Sequence, residues 1–133
     1  MKIQESSENY LETILVLSHR CSVVRAIDIA EDLGFSKPSV SVAMKNLREN
    51  GYILIDDGAI SLTDKGMTIA VKIYERHTLL TDFLIDIGVD TKTAMVDACR
   101  IEHVISQDSF EALKKVIINM DSYFKKDNID FRK

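Results

Sequence analysis

Three features of the sequence predict a mainly α fold with a small β-hairpin. Apolar residues recur at helical spacing through most of the 133 residues. The period changes once, over YILIDDGAISLT, to that of two short strands. One proline, Pro38, five glycines and no low-complexity tract leave little chain for long loops. With 46% hydrophobic residues, the chain can bury a core as one domain or two small ones.

The elements follow in order. From Ser6, the residues Tyr10, Leu11, Ile14, Leu15 and Leu17 fit an amphipathic helix ending near Arg20. A short second helix is expected from about Arg25 to Leu33, with Ile27, Ile29, Ala30 and Leu33 inward, and Gly34 stops it because glycine tolerates positive φ. Ser36 reads as the N-cap of a third helix, with Pro38 in its first turn, where a missing amide hydrogen costs nothing. That helix carries Val40, Ala43, Met44 and Leu47 to about Asn50, and Gly51 closes it. Tyr52 to Ile55 and Ile60 to Leu62 then form strands joined through Asp57 and Gly58. Thr63 caps a long helix with Ile69, Ala70, Ile73, Leu79, Leu80, Phe83 and Leu84 at helical spacing, ending at Gly88. Asp90 or Thr91 starts the next helix, TKTAMVDACRIEHVIS. The last, SQDSFEALKKVIINMDSYFKK, places Phe110, Leu113, Val116, Ile117 and Met120 on one stripe.

Helix, short turn, helix and hairpin is the order of a winged helix-turn-helix domain, expected over residues 1–63, followed by an all-helical dimerisation domain over 64–133. On the third helix Lys37, Ser39, Ser41, Lys45 and Arg48 face away from the apolar stripe, and Glu49 is the only acid. Small hydroxyls and basic groups there suit base edges and phosphates, and the helix N-terminus offers amide hydrogens to phosphate. With Arg25, Ser36 and Pro38 they make the expected DNA-binding set. The alternative is a solvated face in a fold that uses the same helices for protein contact. The later helices exceed what the wing domain needs, and two-fold operators are read by dimers, so a homodimer on double-stranded DNA is expected.

Composition narrows the class. The 17 basic and 21 acidic residues give a net charge of −4, which argues against nonspecific attraction to nucleic acid but leaves room for a local basic face. No apolar run approaches the roughly 20 residues of a membrane span, and MKIQESSENY lacks the parts of a signal peptide. A cytoplasmic protein with no membrane partner is expected, in which Cys21 and Cys99 are thiols.

DACRIEHVIS places Cys99, Glu102 and His103 at i, i+3 and i+4 of a helix, on one side. Ile101, Val104 and Ile105 are expected on or near the packing flank, which sets the cluster at a core edge. Thiolate, carboxylate and imidazole suit Fe²⁺, Co²⁺, Ni²⁺ or Zn²⁺. His77 in the long helix, and Asn9 and Glu12 on the first, are available to complete the shell. The spacing fits equally a buried thiol beside a surface glutamate and a hydrogen-bonded histidine.

Five segments decide between these readings by resemblance: ENYLETI, AIDIAEDLGFSKPSVSVAMKNLRENGYI, ISLTDKG, ERHTLLTDFL and DACRIEHVIS. Across nearly its whole length the chain resembles the diphtheria-toxin-repressor-like family of metal-dependent transcriptional repressors, which includes iron and manganese sensors. The resemblance implies Cys99, Glu102, His103 and His77 as ligands. It places Asn9 at a further ligand position and matches Glu12 to a carboxylate of the manganese sensors.

Departures from the family pattern bear on the ion. Cys99 is iron-like, since manganese sensors carry a carboxylate there, whereas Glu12 is manganese-like. Asn9 is neither the methionine of iron sensors nor the aspartate of manganese sensors. Thr81 and Met95 replace an acid and a histidine of the iron sensors' ancillary site. A soft thiolate disfavours Mn²⁺, so Fe²⁺ is favoured over Mn²⁺, with Zn²⁺, Co²⁺ or Ni²⁺ able to substitute in vitro. The chain also stops short of the SH3-like domain found in many iron sensors. The resemblance implies a bridging ion that fixes the DNA-binding domain relative to the dimerisation domain and enables repression at metal-uptake genes, with no small-molecule substrate. Two other classes compete. A metallohydrolase would need an acid/base constellation that the sequence lacks, and a thiol-based redox regulator would use Cys99, with Cys21 as resolving partner.

Overall fold

Local signals at the ends of the elements set their bounds. The computed structural model describes residues 5–127, with side chains for 6–120; the ends of the expected domains, 1–4 and 128–133, lie outside the described residues. The order is α1 (Glu5–Arg20), α2 (Ala26–Leu33), α3 (Lys37–Glu49), β1 (Ile53–Asp56), β2 (Ala59–Leu62), α4 (Asp64–Asp86), α5 (Thr91–Val104) and α6 (Gln107–Asp127). The chain divides into two compact units, Met1–Ile73 and Tyr74–Lys133.

In the first unit Gly34 takes φ +70 at the end of α2, and its amide donates to the Ala30 carbonyl. Ser36 caps α3, accepting from the Ser39 amide at 3.3 Å, with Pro38 in the first turn. The core joins Leu11, Ile14 and Leu15 of α1 to Ile29 and Ala30 of α2, Val40, Met44 and Leu47 of α3, and Ile53 and Ile60 of the hairpin. Ile27 was expected inward and is 38% exposed. It lies two residues before Ile29, about 200° round the helix, so it faces away from the side that Ile29 and Ala30 bury.

The hairpin is antiparallel, with Ile53 opposite Leu62 and Asp56 opposite Ala59. Asp57 (φ 49) and Gly58 (φ 80) make the two-residue turn, a left-handed pair that matches strand twist. The first strand is shifted one residue towards the turn from its expected bounds and the second begins one residue early but ends at Leu62 as expected, because Asp56 and Ala59 still pair across this turn. Val24 bridges Ile60, whose amide donates to the Val24 carbonyl at 2.8 Å, so the loop before α2 lies against β2. Thr63 caps α4: its hydroxyl accepts from the Gly66 amide at 3.1 Å and donates to the Gly51 carbonyl at 2.7 Å.

In the second unit Leu80, Ala94, Ala98 and Phe110 are buried. Val104, expected on the packing flank, is 77% exposed. The buried stripe of α5 is Ala94, Ala98 and Glu102, and Val104 is two residues past its end, on the other side. The stripe of α6 is covered only in part: Phe110 is buried, whereas Val116 is 52% exposed. Among the described residues no helix is long and apolar enough to cross a membrane.

Candidate metal centre and nucleic-acid interface

In the helical unit, α5 is started by Asp90, whose carboxylate accepts from the Thr93 amide at 3.2 Å. Hydrogen bonds from the Thr93 side chain and backbone hold the Asp90 carboxyl below its ordinary value of 3.8. Ala94 and Ala98 are buried on one side of the helix, and the third place in their stripe is taken by a carboxylate. The Glu102 side chain is 0% exposed. Its Oε2 lies 2.9 Å from His77 Nδ1 on α4, and its Oε1 lies 3.3 Å from His103 Nε2 without hydrogen-bond alignment. Donor atoms of Cys99, Glu102 and His103 all lie within 4.8 Å of one another.

The residues fit a divalent transition ion. A fully buried carboxylate is expensive unless charge and hydrogen bonds compensate it, and Glu102 Oε1 accepts no hydrogen bond among the described residues. The spread of the donors suits a shared ion at bond lengths of about 2.0–2.3 Å. Thiolate, carboxylate and imidazole together favour a borderline ion over a hard one. In the N-terminal unit, α1 carries half-buried Asn9 and buried Glu12 at i and i+3 of one helical face.

Sequence reasoning missed Arg76. This buried guanidinium donates from Nη1 to the carbonyls of Glu102 and Ile105, both at 3.0 Å, and from Nη2 to Gln107 Oε1 at 2.7 Å. It also lies over the Phe110 ring at 5.4 Å. It therefore holds the carbonyl end of α5, where cations are favoured, and with it the register of Glu102 and His103. The available signal was a basic residue three after Ile73 and four before Leu80, inside an apolar stripe.

On α3 the side chains Lys37, Pro38, Ser39, Ser41, Lys45 and Arg48, with Ser36 before them, are all exposed. Val40, Met44 and Leu47, on the opposite side, are the residues that anchor the helix. Arg25 is exposed but engaged: its amide donates to Asp28 Oδ2 at 2.9 Å and its Nη1 to the Asp57 carbonyl at 3.0 Å. It thus ties the start of α2 to the hairpin turn.

This arrangement, a winged reader and a helical unit with a metal-fitting cluster, agrees with comparison to known proteins. Residues 2–56 match the family described as iron dependent repressor, N-terminal DNA binding domain, and residues 63–129 match iron dependent repressor, metal binding and dimerisation domain. The chain belongs to the iron-dependent repressor family. Within it, the chain is 32% identical over 120 residues to the iron-dependent repressor IdeR of Mycobacterium tuberculosis, covering 89% of this chain and 52% of that protein. It is 34% identical over 110 residues to the transcriptional regulator MntR of Salmonella typhimurium, covering 82% and 70%. The solved structure of the manganese regulator SloR superimposes with a TM-score of 0.75 at 30% identity, covering 88% and 54%. The chain therefore spans about half the length of IdeR and SloR. Iron-dependent repressors are DNA-binding transcriptional repressors rather than enzymes, and this chain carries both the DNA-binding and the dimerisation domain of the family.

Proposed function

We propose that the protein is a metal-responsive repressor in which Fe²⁺, or alternatively Mn²⁺, enables a homodimer to bind operator DNA at metal-uptake genes. The single observation that carries the reading is the buried Glu102 carboxylate, set between His77 and His103 with the Cys99 donor beside it. The proposed ligand set is Asn9, Glu12, His77, Cys99, Glu102 and His103. Zn²⁺, Co²⁺ or Ni²⁺ would substitute in vitro. Cys99 supports iron, since a thiolate is a poor partner for Mn²⁺. The proposed functional division falls at Thr63 and Asp64, and no small-molecule substrate is invoked.

A bound divalent cation would supply positive charge beside the buried Glu102 carboxylate and the half-buried Cys99 sulfur. Asn9 and Glu12 would contribute donors from the N-terminal unit and the other four residues from the helical unit, so that coordination restrains one unit against the other. In a dimer this restraint would favour a separation of the two α3 helices near the roughly 34–36 Å between successive major grooves. Ser36, Lys37, Pro38, Ser39, Ser41, Lys45 and Arg48 would then meet DNA, with Arg25 at the edge of the wing. Without the restraint, affinity falls with the population of the competent arrangement.

The test is retention of duplexes from a randomised pool by the purified chain at fixed salt, with anaerobic Fe²⁺, Mn²⁺, Zn²⁺ or chelator. Strong retention with Fe²⁺ and little with chelator is expected. Equal retention in all four conditions would remove the metal-responsive mechanism.

A further inference from the structure

We infer that Val42 is a specificity-determining contact to the C5-methyl group of thymine, an inference that rests on the DNA reading proposed above. Val42 is 61% exposed on α3. At about 100° per residue, it sits close to diametrically opposite the buried stripe of Val40, Met44 and Leu47, at the apex of the exposed face. Its helical neighbours there are Pro38 at i−4, Ser39 at i−3, Lys45 at i+3 and Asn46 at i+4, all exposed.

Nothing in the fold favours this residue at this place. A β-branched side chain is a poorer helix former than alanine, lysine or glutamate, and an apolar group in water gains no burial. The exposed face of α3 is otherwise made of hydroxyls, an amide, Pro38 and the cations Lys37, Lys45 and Arg48, with Glu49 at its far end. The positive charge selects a polyanion, which makes duplex DNA the occupant argued for here. In the major groove, thymine alone presents an apolar group, its methyl, and that is the one base-edge feature a valine can read.

The experiment uses the full chain with metal and the duplexes retained in the pool selection. Each thymine of the selected site is replaced in turn by uracil, which removes only the methyl group. For the unaltered protein, uracil at one thymine per half-site should weaken binding about fourfold, the equivalent of one buried methyl-sized group. In Val42→Ala that sensitivity should disappear, while affinity for the uracil duplex stays within about twofold of the parent's, since an exposed truncation leaves the core intact. Thermal melting of Val42→Ala should match the parent. Methyl sensitivity that survives in Val42→Ala, or is absent from the parent, overturns this inference alone. Failure of the pool to yield any retained duplex overturns the DNA reading and this inference with it.

Discussion

Glu102 is the residue on which charge and packing compete most directly. Its side chain is 0% exposed in a stripe with two alanines, so the apo protein bears the desolvation of a carboxylate. Glu102→Gln keeps the shape and removes the charge. We expect its apo stability to be no lower than the parent's, while metal affinity, read by titration calorimetry with Mn²⁺ or Co²⁺, falls on the order of tenfold or more. Loss of apo stability with affinity retained would contradict that assignment. Arg76 makes the opposite case. Arg76→Lys keeps the charge but cannot span the carbonyls of Glu102 and Ile105 and the Gln107 amide together. It should cost about 1.5–3 kcal/mol in denaturant unfolding. At Gly66 an added Cβ would collide with the Tyr52 carbonyl. Gly66→Ala should therefore destabilise by about 1–3 kcal/mol from overpacking, outweighing the roughly 1 kcal/mol that alanine brings to a helix.

Caps and turns govern the elements. Ser36 accepts the Ser39 amide at the start of α3, and Ser36→Ala should cost about 1 kcal/mol in thermal unfolding. Asp90 does the same for α5 as a carboxylate, with its pKa held below 3.8 by the Thr93 hydrogen bonds. A depressed folded value means that the contribution is present above the unfolded pKa and is lost as pH falls through the folded one. Asp90→Ala should thus destabilise at neutral pH, and the gap between variant and parent should close on acidification below about 3.8; a gap constant with pH would show that the carboxylate charge plays no part. At the hairpin, the Asp57–Gly58 pair was legible because so few residues accept positive φ in succession. Ile27 was misjudged because a helix of eight residues offers too few turns for apolar content to settle which side is inward.

For the whole molecule, ion binding, stability and DNA affinity are linked. An ion that binds the folded chain alone should raise stability by about 2.7 kcal/mol at a hundredfold excess over its dissociation constant. Coordination requires a deprotonated thiol and neutral imidazoles, so ion binding releases protons and weakens as pH falls. Metal affinity should therefore fall between pH 7.5 and 6, and an unchanged affinity would count against Cys99, His77 and His103.

Over the described residues, the sequence by itself determined the order of six helices and one hairpin, since several boundaries carry a local signal: Gly34, Ser36, Gly58, Thr63 and Asp90 act within a few residues of themselves. It also determined that Cys99, Glu102 and His103 share a helical side, because helix geometry alone fixes i, i+3 and i+4. Tertiary structure decided what distant parts of the chain do to one another. The approach of His77 to Glu102, the grip of Arg76 on the end of α5 and the hold of Arg25 on the hairpin turn join residues 25 or more positions apart. No periodicity encodes such contacts, because they depend on how whole elements pack. Exposure of Val42, Val104 and Ile27 was settled in the same way, by which side of each helix found a neighbour to cover it.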